Sequence, residues 1–178
     1  MRKLKITELN RISKEDFKKV KKIPLVVILD NIRSLNNIGS IFRTCDAFRI
    51  ETIYLCGITA IPPNTKIHKT ALGSEDSVDW RYSSSTLHIV NKLRHDGYFV
   101  IAIEQAKNSI LLDKFQSKYL RQAIVFGNEI YGVDQNVMNQ CDTCVEVPQF
   151  GTKHSLNVSV TAGIIVWEIA KKHFNEIK

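Results

Sequence analysis

At 178 residues, with 44% hydrophobic and 24% charged side chains, the chain is long enough to close one core and too apolar to stay disordered. Its apolar runs end after a few residues, well short of the ~20 that a membrane helix needs. Met1-Arg2-Lys3 opens onto polar residues instead of the apolar core of an export signal, so a cytoplasmic protein with no membrane attachment is expected.

The net charge of +7 is concentrated at one end. Residues 1–22 carry nine Lys/Arg and three acids, while the remainder is almost balanced, at 16 basic to 15 acidic. Two readings fit: an electrostatic handle for a polyanion, or a solvated helix packed on the body by Phe17 and Val20. The expected organisation is a basic arm over 1–23 and a single domain over 24–178.

Taken in order, Ser13 with Asp16 three residues on starts a helix over 14–21, stopped by Pro24. Residues 25–29, Leu-Val-Val-Ile-Leu, form a continuous apolar run, the pattern of a strand buried on both faces. Asn36 or Asn37 caps a helix to about Phe48 that carries Ile38, Ile41, Phe42 and Cys45 on one side. A second buried strand follows at 52–57, and strand–helix–strand in about thirty residues implies parallel pairing.

Pro62 to Lys69 reads as a stiff loop, and 73–79 lacks periodicity. A helix over 86–96 ends at Gly97, strands follow at 98–103 and 123–126, and a short helix spans 133–139. A last strand at 143–147 leads to a long helix over 155–173. That helix is apolar on two faces, Leu156, Val160, Ile164 and Trp167 on one and Val158, Ala162, Ile165 and Ile169 on the other, so a partner for the second face is expected. The fold class is α/β, one domain with a mostly parallel sheet flanked by helices and ligands at the carboxyl ends of the strands.

Cys141-Asp142-Thr143-Cys144 raises zinc and redox chemistry. No second ligand pair completes a zinc set, and the motif leads into a strand where a redox motif would precede a helix. Structural thiols and no metal are expected.

Three segments carry unusual chemistry. The first is Asn37-x-Gly39-x-x-x-Arg43-Thr44 just past a strand, where the glycine could admit a phosphate or ribose to the backbone. The second is Phe126-Gly127-Asn128-Glu129-Ile130-Tyr131-Gly132 at a strand end. The third runs from Val147-Pro148-Gln149 through Gly151 to Ser155-Leu156-Asn157-Val158-Ser159, strand to loop to helix. Ser155 can cap that helix; Asn157, a poor helix former, is harder to explain inside it. His154 beside Ser155 does not make a hydrolase, because adjacent residues cannot take up nucleophile–base geometry and no nucleophile elbow is present.

In this order and spacing the three segments resemble the motifs of the SpoU/TrmH family of RNA ribose methyltransferases: N-x-G-x-x-x-R-T, F-G-x-E-x-x-G, and I-P-M-x-G-x-x-x-S-L-N-V-S-x-A. Val147 and Gln149 replace the usual isoleucine and methionine. The resemblance covers about residues 24 to 172. It implies a deep C-terminal trefoil knot, a homodimer with composite active sites, and S-adenosylmethionine as methyl donor, held largely by backbone. It implies transfer of the methyl to a ribose 2′-hydroxyl of tRNA or rRNA. Gly127, Val147 and Leu156, with Glu104 as a weaker candidate, would line the cofactor pocket. Asn37, Arg43, Glu129, Ser155 and Asn157 match the catalytic and RNA-positioning residues.

Such a reaction needs the hydroxyl aligned and relieved of its proton. A guanidinium is a poor base, so Arg43 is better read as gripping the flanking phosphate and polarising the hydroxyl. An RNA-binding protein of the same fold without methyl transfer is the alternative.

Overall fold

The computed structural model describes residues 1–177. Seven strands form one all-parallel sheet in the order β3-β2-β1-β6-β4-β7-β5. In chain order the elements are α1 (Lys14–Lys19), β1 (Ile23–Asp30), α2 (Leu35–Ala47), β2 (Ile50–Cys56), α3 (Thr65–Ala71) and β3 (Trp80–Ser83). Then come α4 (Thr86–His95), β4 (Phe99–Ile103), β5 (Ile110–Leu111), β6 (Gln122–Phe126), α5 (Gln135–Met138), β7 (Thr143–Glu146), α6 (Val158–Ala170) and α7 (Phe174–Ile177).

Alternation along the strands builds two cores. Leu25, Val27 and Leu29 of β1, with Ile124 and Phe126 of β6, pack beneath α1, α2, α3 and α6. Val26 and Ile28, with Ala123 and Val125, face α4 and α5. Helices on both faces explain why β1 and β6 read as unbroken apolar runs: neither face can afford a polar residue.

Several local expectations are corrected. Residues 62–69 are not all loop, because Asn64 Oδ1 accepts from the Lys66 and Ile67 amides (3.0 and 3.4 Å) and opens α3. That helix buries only Ile67 and Ala71, too few positions for its period to show. Helix α2 is capped by Ser34, whose hydroxyl accepts from the Asn37 amide at 3.3 Å, so the Asn36 or Asn37 cap does not hold and the Asn37 side chain is released for other bonds. Helix α6 begins at Val158, not Ser155, and its cap is Asn157, which accepts from the Ser159 amide at 2.9 Å. A poor helix former sits there because a cap is not helical. Strands β3 and β5 were not anticipated; both lie at sheet edges, and β5 is only two residues long.

The arm divides. Phe17 is buried in the α2 side of the core with Lys22 over its ring, whereas residues 1–13 are exposed throughout. No helix among the described residues is long and apolar enough to cross a membrane.

Candidate active site

Strands β6, β4 and β7 are neighbours, and the loops leaving their carboxyl ends enclose a cleft of about 540 Å³. That volume suits a small organic ligand. Glu104 follows β4, residues 127–134 follow β6, and 147–157 follow β7. Gly127, Val147, Leu156 and Glu104 all line the cleft, as do Glu129, Ser155 and Asn157.

The β6 loop is held tightly. Asn128 and Gly132 exchange backbone hydrogen bonds of 3.0 and 2.9 Å. The Asn128 side chain donates to Asn31 O at 2.7 Å and accepts from the amides of Ile130 and Tyr131. Glu104 spends one oxygen on its neighbour's amide, Gln105, at 2.8 Å and the other on the Val133 amide at 3.1 Å. Gly132 has φ +70°, and a Cβ there would lie 2.1 Å from Glu104 Oε2. Glu104 therefore buttresses the loop as well as lining the cleft. Asn128, given no role by the sequence, is the loop's main tie; its position between two glycines is the available signal.

Gly127, at the wall of the cleft, is also required as glycine by its own loop. An added Cβ would sit 2.1 Å from both Gly132 C and Val133 N, so the residue is glycine because the loop folds back on it. The reading of Gly39 is corrected: it lies inside α2, where a Cβ would meet Thr70 Oγ1 at 2.2 Å and Ile67 O at 2.3 Å. It lets α3 pack against α2 and admits no ligand.

One chain of polar contacts joins all three sequence segments. The Glu129 carboxylate accepts from the amides of Arg33 and Ser34 and from Asn37 Nδ2, each at 3.0 Å. Asn37 is buried, and its Oδ1 accepts from Asn157 Nδ2 at 3.1 Å. Asn157 Oδ1 in turn accepts from Ser159 Oγ at 2.6 Å. Burial alone would raise the Glu129 pKa, but the backbone and Asn37 donors outweigh it and hold the carboxylate below its ordinary value. Two asparagines suit this place because an amide donates to one neighbour and accepts from the next, whereas a carboxylate only accepts.

Ser155 is exposed at the rim of the cleft. Arg43 is not part of the cleft. It lies six residues beyond Asn37, about 9 Å along α2 and about 120° round it. It is exposed and lines a separate hollow of about 880 Å³ with Arg11 and Lys14 of the arm, Asp46, Arg49 and Trp167. One copy of the chain thus brings together eight of the nine predicted residues and leaves the ninth on another surface.

Cys141 and Cys144 are free thiols that donate to Val137 O and Glu104 O, each at 3.3 Å. Burial pushes the Cys141 thiol up to about 12 and raises Cys144 too, which suits neutral packing groups.

Residues 24–167 match the model of the SpoU rRNA Methylase family. The 23S rRNA (guanosine-2′-O-)-methyltransferase RlmB of Neisseria meningitidis is 29% identical over 150 residues, covering 84% of this chain and 59% of that protein. RlmB of Nitrosomonas europaea is 28% identical over 149 residues, covering 84% and 56%. The chain thus spans under two thirds of these relatives. Among solved structures, the A. aeolicus TrmH/SpoU tRNA modifying enzyme superposes with a TM-score of 0.79 at 25% identity, covering 92% of this chain and 81% of that one. The AdoMet-bound rRNA methyltransferase from Sinorhizobium meliloti gives 0.79 at 26%, covering 89% and 60%.

Proposed function

The chain belongs to the SpoU rRNA methylase family, and from that premise we propose that it transfers a methyl group from S-adenosylmethionine to a ribose 2′-hydroxyl of tRNA or rRNA in the cytoplasm. The observation that carries this reading is the Glu129–Asn37–Asn157 chain, which ties the three motifs together at the wall of one cleft. The cleft fits the donor by size, and its lining joins apolar side chains such as Ile103, Phe126, Val147 and Leu156 to polar ones such as Gln105 and Ser155. Gly127, Val147, Leu156 and Glu104 would hold it. When bound, it supplies a methyl group already activated by a sulfonium.

The protein's own task is then to place a hydroxyl. Glu129 fixes the start of α2 through two backbone amides, and Asn37 passes that order to Asn157. Ser155 presents its hydroxyl at the rim, suited to the ribose. Arg43 grips the phosphate next to the reacting ribose and polarises its hydroxyl, a use of the guanidinium's planar set of donors.

Because Arg43 lies outside the cleft, the reading requires a second copy to complete the site. Helix α6 supports a homodimer: Val160, Ile164 and Trp167 are 51, 36 and 50% exposed and share one stripe, while Ala162, Ile165, Val166 and Ile169 are buried. The reading also takes residues 1–23 as a basic arm and 24–178 as the catalytic domain. It makes the C-terminal part a deep trefoil knot, supported by β6 entering the sheet between the earlier strands β1 and β4.

The test is transfer of labelled methyl from S-adenosylmethionine to tRNA and rRNA isolated from cells lacking the protein, with the modified nucleosides identified. The expected product is a 2′-O-methylated nucleoside in one of the two pools. RNA binding without any labelled product would support the alternative of an RNA-binding protein that does not transfer methyl.

A further inference from the structure

On the far side of α3 from Gly39 lies a third cavity, of about 540 Å³, that shares no lining residue with the cleft or the hollow. Its walls include Pro62, Pro63, Trp80 and His68, with Asn64 and Asp76 at the rim. None of these belongs to the three motifs. Beneath His68 sits Glu75, whose side chain is only 7% exposed. One Glu75 oxygen accepts from the Gly73 amide at 3.0 Å, which holds the left-handed turn at Leu72 and Gly73 (φ 55° and 91°) that ends α3. The other lies 2.5 Å from His68 Nδ1. The turn accounts for the first oxygen and not for the second. A carboxylate beside Nδ1 accepts the N–H of that nitrogen and fixes the ring, leaving Nε2 on the opposite edge as an acceptor for a ligand. A half-buried indole, two proline rings and an oriented imidazole make a slot for a flat heterocycle with polar edges.

Basic side chains stand around the cavity beside the acids Glu75, Asp76 and Asp79. Lys14 of the arm pairs with Asp76 at 2.6 Å, so the arm touches the cavity's rim. Lys66 and Lys69 lie exposed on α3, and Arg81 is exposed next to Trp80. The short segment 71–74 separates this cavity from the hollow that holds Arg43. A polyanion lying along the arm would reach both.

We propose that the Trp80–His68 cavity is a subsite for an unpaired nucleobase of the RNA, outside the reacting nucleotide: the base stacks on the indole and donates an exocyclic N–H to the fixed imidazole edge. This rests on the reading of the protein as acting on RNA. Stacking on an aromatic ring is tolerant of base identity, so the subsite contributes grip on single-stranded RNA, with His68 adding preference.

The chain has two tryptophans, so Trp167→Phe leaves Trp80 as the sole indole emitter. That variant is titrated with single-stranded hexaadenylate and with an abasic ribose-phosphate hexamer, while binding of each is followed separately by anisotropy of a labelled strand. Hexaadenylate is expected to quench Trp80 saturably and the abasic strand not to. His68→Ala, at a side chain 66% exposed, is expected to raise the midpoint on the order of tenfold. Hexaadenylate binding that leaves Trp80 emission unmoved overturns the subsite, as does quenching by the abasic strand or an unchanged midpoint in His68→Ala. If the unsubstituted chain binds no RNA by anisotropy, the RNA reading itself falls and the subsite with it.

Discussion

The cleft at the strand ends and the hollow around Arg43 use polar groups in opposite ways. In the cleft, Glu129, Asn37, Asn157 and Glu104 are bonded to one another or to backbone. In the hollow, Arg43 stands exposed and enters none of the ion pairs formed among the described residues. Half-buried Asp46 beside it is pushed up by burial against the pull of Lys22 and Arg11. A satisfied network is rigid and shapes a fixed pocket; an open cation waits for an anion from outside. The first suits a cofactor that must be placed closely, the second a polyanion that arrives from solution.

The comparison is broken most directly at Arg43. Arg43→Ala is expected to lower methyl transfer by ~10²-fold or more, with S-adenosylmethionine affinity and thermal stability unchanged, because the residue touches neither the cleft nor the core. Arg43→Lys keeps the charge and loses the planar fork, and is expected to recover little. Single-turnover rates beside calorimetric cofactor binding decide this. Near-normal turnover in both variants would strike Arg43 from the chemistry.

Gly127→Ala tests the other region. Its Cβ would meet the backbone of Gly132 and Val133, which no side-chain rotation relieves, so the cost is on the order of 2–4 kcal/mol. Loss of cofactor binding is expected together with a lowered melting temperature. Unchanged stability with lost binding would instead mean that the ligand needs the space.

Asn37→Ala removes the middle of the polar chain and leaves Glu129 and Asn157 each short of a partner, at ~1–3 kcal/mol. The pH dependence follows from Glu129. Its folded pKa is lowered from an ordinary 4.5, so its contribution is complete above about pH 4.5 and is lost as pH falls through the lower folded value. Glu129→Gln is expected to flatten that acid limb in a melting-temperature series, and an unaltered limb would show the acid sensitivity to lie elsewhere.

The sheet and its parallel sense were legible because burial on both faces leaves long apolar runs at β1, β4 and β6. The motifs brought the right residues to the cleft, but the reasons for several lay in tertiary contacts that no local pattern carries. Gly39 answers to Thr70 and Ile67, thirty residues on, and Gly127 to a loop that folds back upon it. Asn157 looks misplaced only when the helix is started three residues early, at Ser155. Helix α3 escaped because two buried residues in seven leave no measurable period. Arg43's separation from the cleft follows from helix geometry, yet the motif lists it beside Asn37 as though the two were neighbours in space.

The smallest effect expected is at the arm, where the structure decides how much can be removed. Deleting residues 1–22 would remove buried Phe17 and open the core, mixing folding with binding. Deleting 1–12 instead keeps Ser13, which caps α1 through the Asp16 amide at 3.0 Å, and keeps Lys14 on Asp76. That deletion removes Arg2, Lys3, Lys5 and Arg11, of which Arg2 is already paired with Glu8 at 2.7 Å. If the other three meet phosphates, the slope of log affinity against log salt should fall by ~2–3 units. The rate at saturating RNA should stay within about twofold, since Arg43 and the cleft are untouched. An unchanged slope would assign residues 1–12 no part in RNA binding. A loss of rate at saturation would mean that Arg11, which shares the hollow with Arg43, helps to hold the reacting nucleotide, and the contrast between a rigid cleft and an open cationic face would then need the arm counted within the active site.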